Sequence, residues 1–264
     1  MKILYIGDVM AESGMAAVEK VLPGIVQTEG IDFVVAQAEN VTDGKGMLPE
    51  DMQRLRAAGV HAFSGGNHTP SLLGLTSFLE NPAEPVVGPA NMVSCPGPGY
   101  KLVDSRGGKV LIASLLGNIV GKQADLELEN PLKKVDDILA AVPRDSYITA
   151  VVNLHGDFSS EKLVFGHYLD GRVGVVVGDH WHVPTADAQV LPKGTAHITD
   201  VGMCGSLDSS LGVTFESIIP RWRDGYQTRN EFETSGRMQF CALLVELDEA
   251  TGRATSARHL REVW

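Results

Sequence analysis

The chain has 264 residues, 44% hydrophobic and 21% charged, close to the globular average and long enough to bury a sizeable core, which excludes disorder over most of it. Lys plus Arg is 22 against 33 Asp plus Glu, a formal charge of −11, the wrong sign for a general phosphate-backbone binder but no obstacle to a small anion held by metal ions. The three cysteines, Cys95, Cys204 and Cys241, form no C-x-x-C, so neither a disulfide framework nor a thiolate zinc site is indicated, and a reducing cytoplasm is the expected compartment.

The chain opens on a short apolar run, Ile3 to Ile6, that meets Asp8 too soon for a signal peptide, and no stretch is long enough for a membrane span. That run, Phe33 to Ala36 and Val60 to Phe63 are short, β-branched and aromatic, and predict buried strands. Val18, Val21, Leu22 and Ile25 mark one face of a helix whose last turn is weakened by Pro23 and Gly24. Pro49 to Ala58 predicts a second helix stopped by Gly59, and Ser71 to Leu79 a third. Strand–helix–strand alternation implies parallel strands with right-handed crossovers. Further on, Tyr100 to Val103 and Val110 to Leu116 flank a hairpin turn at 105–108. Pro131 to Ala141 and Ser159 to Tyr168 predict helices, the latter opened by a Ser-Ser cap. Tyr147 to Val152, Val173 to Val177 and Phe240 to Leu247 predict strands, the last followed by a turn at 250–252. Residues 220–237 are polar and mixed and predict a loop or flap. No composition break divides the chain, so residues 1–264 are expected to form one domain.

The chemistry collects at strand ends. Five strand-like runs finish in metal-capable residues: Asp8; Glu39 with Asn40; Asn67 with His68; His155; and His180 with His182. Open α/β folds bind ligands beyond the carboxyl ends of their strands, which would gather all five loops on one edge. Two His at i and i+2 point the same way if they lie in a strand. Carboxylate, amide oxygen and imidazole without thiolate suit Fe, Mn or Zn. There are ligands enough for two ions, and two ions about 3.5–4 Å apart can bind a phosphoryl group, activate a bridging water and stabilise a leaving oxygen.

Gly7-Asp8, Gly66-Asn67-His68 and Gly178-Asp179-His180-Trp181-His182 resemble the calcineurin-like metallophosphoesterase superfamily. The detailed match is to its bacterial YmdB-like branch of cyclic-nucleotide phosphodiesterases. It rests on Ala38-Glu39-Asn40 with Gly44-Lys45-Gly46, on His155 followed by Ser159-Ser160-Glu161-Lys162, on His180 to Asp187, and on Thr199 to Met203. The resemblance runs from residue 1 to about 215 in consistent order. It implies a four-layer α/β/β/α sandwich and a two-ion site. Asp8, Glu39, Asn40 and His182 would hold one ion. Asn67, His155 and His180 would hold the other, with Glu39 as the bridge and His68 as general acid. It further implies hydrolysis of a small phosphodiester, a 2′,3′- or 3′,5′-cyclic nucleotide, by a metal-bridging hydroxide. Phosphomonoester hydrolysis, RNA hydrolysis and slow-turnover regulation stand as alternatives with the same ligands. The expected partners are the small substrate and further copies of the chain in a homo-oligomer, with no nucleic-acid face and no membrane.

Val9 and Met10 follow Asp8 where the wider superfamily has Asp-x-His, and Glu39-Asn40 stands where it has Asp; the YmdB-like branch shares both features. Departures from that branch are Asn153 in place of Asp, Gly156-Asp157 in place of a small–acidic pair, and the 220–237 segment. Among the other histidines, His61 is expected to be packed or hydrogen-bonded in a strand and His167 and His259 to be surface residues, while His197 could line the cleft. Trp181 could shield the site or pack below it.

Overall fold

The computed structural model describes residues 1–264. Thirteen strands and six helices alternate along it. The strands are β1 Lys2–Ile6, β2 Asp8–Val9, β3 Phe33–Gln37, β4 Ala62–Ser64, β5 Tyr100–Ser105, β6 Gly108–Leu116, β7 Thr149–His155, β8 Val175–Asp179, β9 Gln189–Val190, β10 Ala196–Ile198, β11 Met203–Ser206, β12 Met238–Leu247 and β13 Ala254–Val263. The helices are α1 Ala11–Glu29, α2 Pro49–Ala58, α3 Thr76–Glu80, α4 Pro131–Ala141, α5 Ser159–Tyr168 and α6 Phe215–Asp224.

Two sheets form. The first runs β2-β11-β12-β1-β3-β4, with β13 also on β12; the second runs β5-β6-β7-β8-β10-β9. β1, β3 and β4 pair in parallel, as do β6, β7, β8 and β10. Alternation of side chains along the strands builds the layers. Ile3, Tyr5, Phe33 and Val35 meet Val110, Ile112, Val151 and Val175 between the sheets. Leu4, Ile6, Val34 and Ala36 face the other way, onto Met15, Val18 and Leu22 of α1 and Met52 and Leu55 of α2. Leu111, Ala113, Val152 and Leu154 face Val135 and Ile138 of α4 and Phe165 of α5. The order is therefore helices, sheet, sheet, helices. Each such buried Val, Leu, Ile, Met or Phe side chain contributes about 1.5–3 kcal/mol relative to exposure. No helix is long and apolar enough to cross a membrane.

Several elements differ from expectation. Helix α1 runs through Pro23 to Glu29, because Pro23 and Gly24 lie on its exposed side, where water can serve the freed carbonyl. The third helix is broken: 3₁₀ turns at Thr69–Ser71 and Leu73–Leu75 precede α3, separated by Leu72 in an extended conformation. Phe158, not a serine, is the N-cap of α5, and no side chain caps that end. His61 sits just before β4 rather than inside it. The segment 220–237 is partly helical, since α6 extends to Asp224 and stops at Gly225, whose φ of 75° favours glycine. The edge strand β13, and the short β2, β9, β10 and β11, were not anticipated.

Candidate metal centre

The loops that follow β1, β3, β4, β7 and β8 gather at one end of the sandwich. At Gly7 an added Cβ would lie 2.1 Å from the Gly202 carbonyl oxygen, so only glycine lets β2 turn onto β11. That turn buries Asp8, whose Oδ2 accepts from the His180 backbone N–H at 3.3 Å. Glu39 and Asn40 follow β3 into a loop closed by Gly44 and Gly46, both at positive φ, and the Asn40 amide N–H donates to the Gly44 carbonyl at 3.0 Å. Gly66 lets two side chains converge: a Cβ there would stand 2.4 Å from Glu39 Oε2 and 2.5 Å from His155 Cδ2. Asn67 donates its amide to Gln123 Oε1, and the His68 backbone N–H donates to Glu39 Oε2 at 2.7 Å.

His155 ends β7 and is fully buried. Its Nε2 stands 3.0 Å from Glu39 Oε1 and 2.8 Å from His180 Nδ1. His180 and His182 do not lie in a strand: β8 stops at Asp179, and both take positive φ, 104° and 62°. Loop geometry, not strand alternation, therefore aims them. His180 Nε2 is 3.4 Å from Asp157 Oδ1, and His182 Nε2 is 3.7 Å from Asp8 Oδ1. One atom each from Glu39, His155 and His180 falls within a mutual 4.8 Å. Asp8 and His182 form a second group beside them.

Charge and satisfaction bear on what the site can hold. Burial alone would raise the Glu39 carboxyl, but the charge and hydrogen bond of His155, with His68, outweigh it and hold it at about 2. Burial lowers His180 and His182 to about 4, so both are neutral imidazoles near pH 7, the form that ligates metal. Burial, then Asp179, pushes Asp8 well above the usual carboxyl range. Asp8 Oδ1, Asn40 Oδ1, Asn67 Oδ1 and His182 Nδ1 are buried with no hydrogen-bond partner. Orphaned acceptors are costly unless something electropositive meets them. Oxygen and nitrogen acceptors without sulfur fit Fe, Mn or Zn ions.

Residues behind the site were harder to foresee. Gln37 Oε1 accepts from the Glu39 N–H at 2.8 Å. Asp200 accepts from Lys162 Nζ, the Trp181 N–H and the Gly202 N–H, each at 2.9 Å, and so pins the loop carrying the two histidines. Trp181 is half-buried: the Lys162 ammonium lies 4.0 Å from its ring centroid and its indole N–H donates to the Asp157 carbonyl. His61 accepts from the Val34 N–H and stacks on Phe33, a structural role. His197 is buried against α5, with Nδ1 3.1 Å from the Val176 carbonyl, and lines no cleft. His167 is exposed, whereas His259 is half-buried, with Nε2 3.0 Å from the Val201 carbonyl.

Residues 4–260 match the family described as YmdB-like protein. The chain is 34% identical over 262 residues to a 2′,3′-cyclic-nucleotide 2′-phosphodiesterase of Bacillus subtilis (strain 168), covering 98% of this chain and 96% of that protein. A solved structure described as a novel phosphatase from Mycoplasma pneumoniae superimposes with a TM-score of 0.90 at 29% identity, covering 100% and 93% of the two chains. The calcineurin-like phosphoesterase YfkN of Bacillus subtilis shares the fold, with a TM-score of 0.59 at 10% identity over 99% of this chain and 90% of that one.

Proposed function

The chain belongs to the YmdB-like protein family, and on that premise we propose that it is a metal-dependent phosphodiesterase acting on cyclic nucleotides, the 2′,3′-cyclic class before the 3′,5′. One observation carries the reading: Glu39, His155 and His180 converge within a mutual 4.8 Å, and the loops that carry Glu39 and His180, with the neighbouring strand-end loops, also hold buried, unpartnered acceptors on Asp8, Asn40, Asn67 and His182. Asp8, Asn40 and His182 would hold one ion, Asn67, His155 and His180 a second, and Glu39 both. Two such ions supply Lewis acidity toward a phosphoryl oxygen and a nucleophile available near neutral pH.

The chain's own groups do the rest. Asp157 and Asp8 fix His180, the first through its ring and the second through its backbone N–H. The Glu39 carboxylate fixes the turn that carries His68. That half-buried imidazole would give its proton to the leaving oxygen.

The test is metal content of the purified protein together with Mn²⁺-stimulated turnover of 2′,3′-cyclic AMP, 3′,5′-cyclic AMP, short RNA and nitrophenyl phosphate. No bound metal and no stimulation by added metal would sink the reading. A second reading, phosphomonoester hydrolysis, is favoured by the likeness to the Mycoplasma pneumoniae phosphatase; faster turnover of nitrophenyl phosphate than of either cyclic nucleotide would select it. Stoichiometric metal with negligible turnover of all four would point to a regulatory protein.

A further inference from the structure

We propose that Asp179 is a positioning residue: its carboxylate keeps the ring hydrogen of His155 on Nδ1 and so turns the Nε2 lone pair toward the metal centre. The proposal rests on the metal reading above.

Asp179 is the last residue of β8 and stands opposite His155 in the parallel register of β7 and β8. Side chains at matched positions of neighbouring parallel strands share a face. Asp179 Oδ1 lies 2.8 Å from His155 Nδ1, and both side chains are fully buried. The carboxylate is itself held. Tyr5, on the other sheet, donates its hydroxyl to Oδ2 at 2.8 Å and meets Ser64 Oγ at 2.6 Å. The Asn153 amide N–H reaches Oδ2 at 3.2 Å and Oδ1 at 3.4 Å. His155 is the only basic side chain within ion-pair distance of Asp179.

A second neighbour pulls the other way. Gln37 has its Oε1 pinned by the Glu39 N–H, which leaves its amide nitrogen 2.9 Å from the same Nδ1. An amide N–H is a donor and suits a bare Nδ1, with the ring hydrogen on Nε2. That tautomer would aim an N–H at Glu39 and His180 and could not ligate through Nε2. A charge-assisted hydrogen bond is roughly twice as strong as a neutral one, so the carboxylate decides. The requirement is thus for charge at position 179, not for a polar group of the same shape. An isosteric amide would hand the choice of tautomer to Gln37.

The experiment compares wild type, Asp179→Asn and Tyr5→Phe by Mn²⁺ calorimetry, with melting of the metal-free proteins alongside. Losing a group that orients a ligating histidine typically weakens metal binding about 10–100-fold, and that is expected for Asp179→Asn. Tyr5→Phe keeps the carboxylate and is expected to stay close to wild type in Kd. An unchanged Kd in Asp179→Asn overturns the proposal, as does an equal loss in Tyr5→Phe. No Mn²⁺ binding by wild type overturns the metal reading and this proposal with it; binding by wild type that Asp179→Asn leaves intact overturns the proposal alone. Nitrogen-15 NMR of Zn²⁺-loaded wild type gives a measurement independent of any variant's folding. A protected, downfield ring proton on His155 Nδ1 is expected, and a hydrogen-free Nδ1 is the contrary result.

Discussion

His68 donates its backbone N–H, not its side chain, to Oε2 of Glu39 at 2.7 Å. The imidazole of His68 can therefore be removed without breaking the bond that shapes its turn. His68→Ala is expected to keep its fold and its metal content and to lose turnover, by about 10²–10⁴-fold on a ribose leaving group. Nitrophenolate leaves readily without a proton, so bis-nitrophenyl phosphate should suffer little. Steady-state rates on both substrates check this; equal losses on both, or lost metal, would remove His68 from the acid role.

Glu39 touches His155 with one oxygen and the turn of His68 with the other, whereas Asp8 contacts only the His180–His182 side. A bridging carboxylate serves two ions. Glu39→Gln should therefore empty both positions, and Asp8→Asn about one of the two. Metal analysis of the two variants decides. Loss of both ions from Asp8→Asn with none lost from Glu39→Gln would reverse the assignment.

Gly66 leaves no room for a methyl group between Glu39 and His155. Gly66→Ala should push the two side chains apart and cost about 1–3 kcal/mol as an overpacked position, and on the metal reading it should abolish tight metal binding. Calorimetry with Mn²⁺ and urea unfolding are the measurements; retention of wild-type affinity would show that the two ligands need not meet there.

Lys162 and Asp200 form a buried ion pair at 2.9 Å, with side chains 1% and 0% exposed. Removing only the lysine strands a carboxylate whose pKa burial already raises. Lys162→Met should cost about 3–5 kcal/mol, the usual penalty for an uncompensated buried charge, and the double variant Lys162→Met/Asp200→Asn should recover part of it. Denaturant melts of the single and double variants test this, and a single-variant loss below about 1 kcal/mol would contradict it.

Burial pushes the Cys95 and Cys241 thiols up to about 12, and Cys204 well above its ordinary value. Thiolate is the reactive form, and Cys204 and Cys241 are fully buried while Cys95 is half-buried, so native protein at pH 8 should leave Cys204 and Cys241 unlabelled by a thiol-titrating disulfide, and unfolded protein should titrate all three cysteines. Rapid labelling of more than one thiol in native protein would contradict the burial.

The parts of this fold legible in the sequence carry their signal locally. Helix α4 follows from Pro131 at its start and the apolar spacing of Val135 and Ile138, and its bounds match expectation at both ends. The parallel strands follow from β-branched runs buried on both faces. Strand β13 was opaque because it mixes small and charged residues such as Ser256, Arg258, Arg261 and Glu262 without an apolar alternation, and its partner is fixed only by tertiary pairing with β12. Helix α6 was masked by Pro220 and by an apolar set that stays largely in water, with Phe215, Ile219 and Trp222 exposed. At the site, residues at strand ends could be read off the sequence. Tyr5 and Gln37 could not, because a tyrosine and a glutamine inside strands look like ordinary core and edge until the second sheet is laid over them.

The two sheets contribute unequally in kind to one end of the sandwich. Asp8, Glu39, Asn40 and Asn67 leave strands of the first sheet, and His155, His180 and His182 leave strands of the second. Oxygens therefore come from one slab and imidazoles from the other. On the metal reading, a cation held between them would act as a clasp across the hydrophobic seam, satisfied only while the slabs remain in register. Sliding or parting them would release it, so metal and folded sandwich would stabilise each other. At a free-ion concentration of 100 times Kd the clasp would contribute about 2.7 kcal/mol, and the melting temperature would become a readout of metal supply.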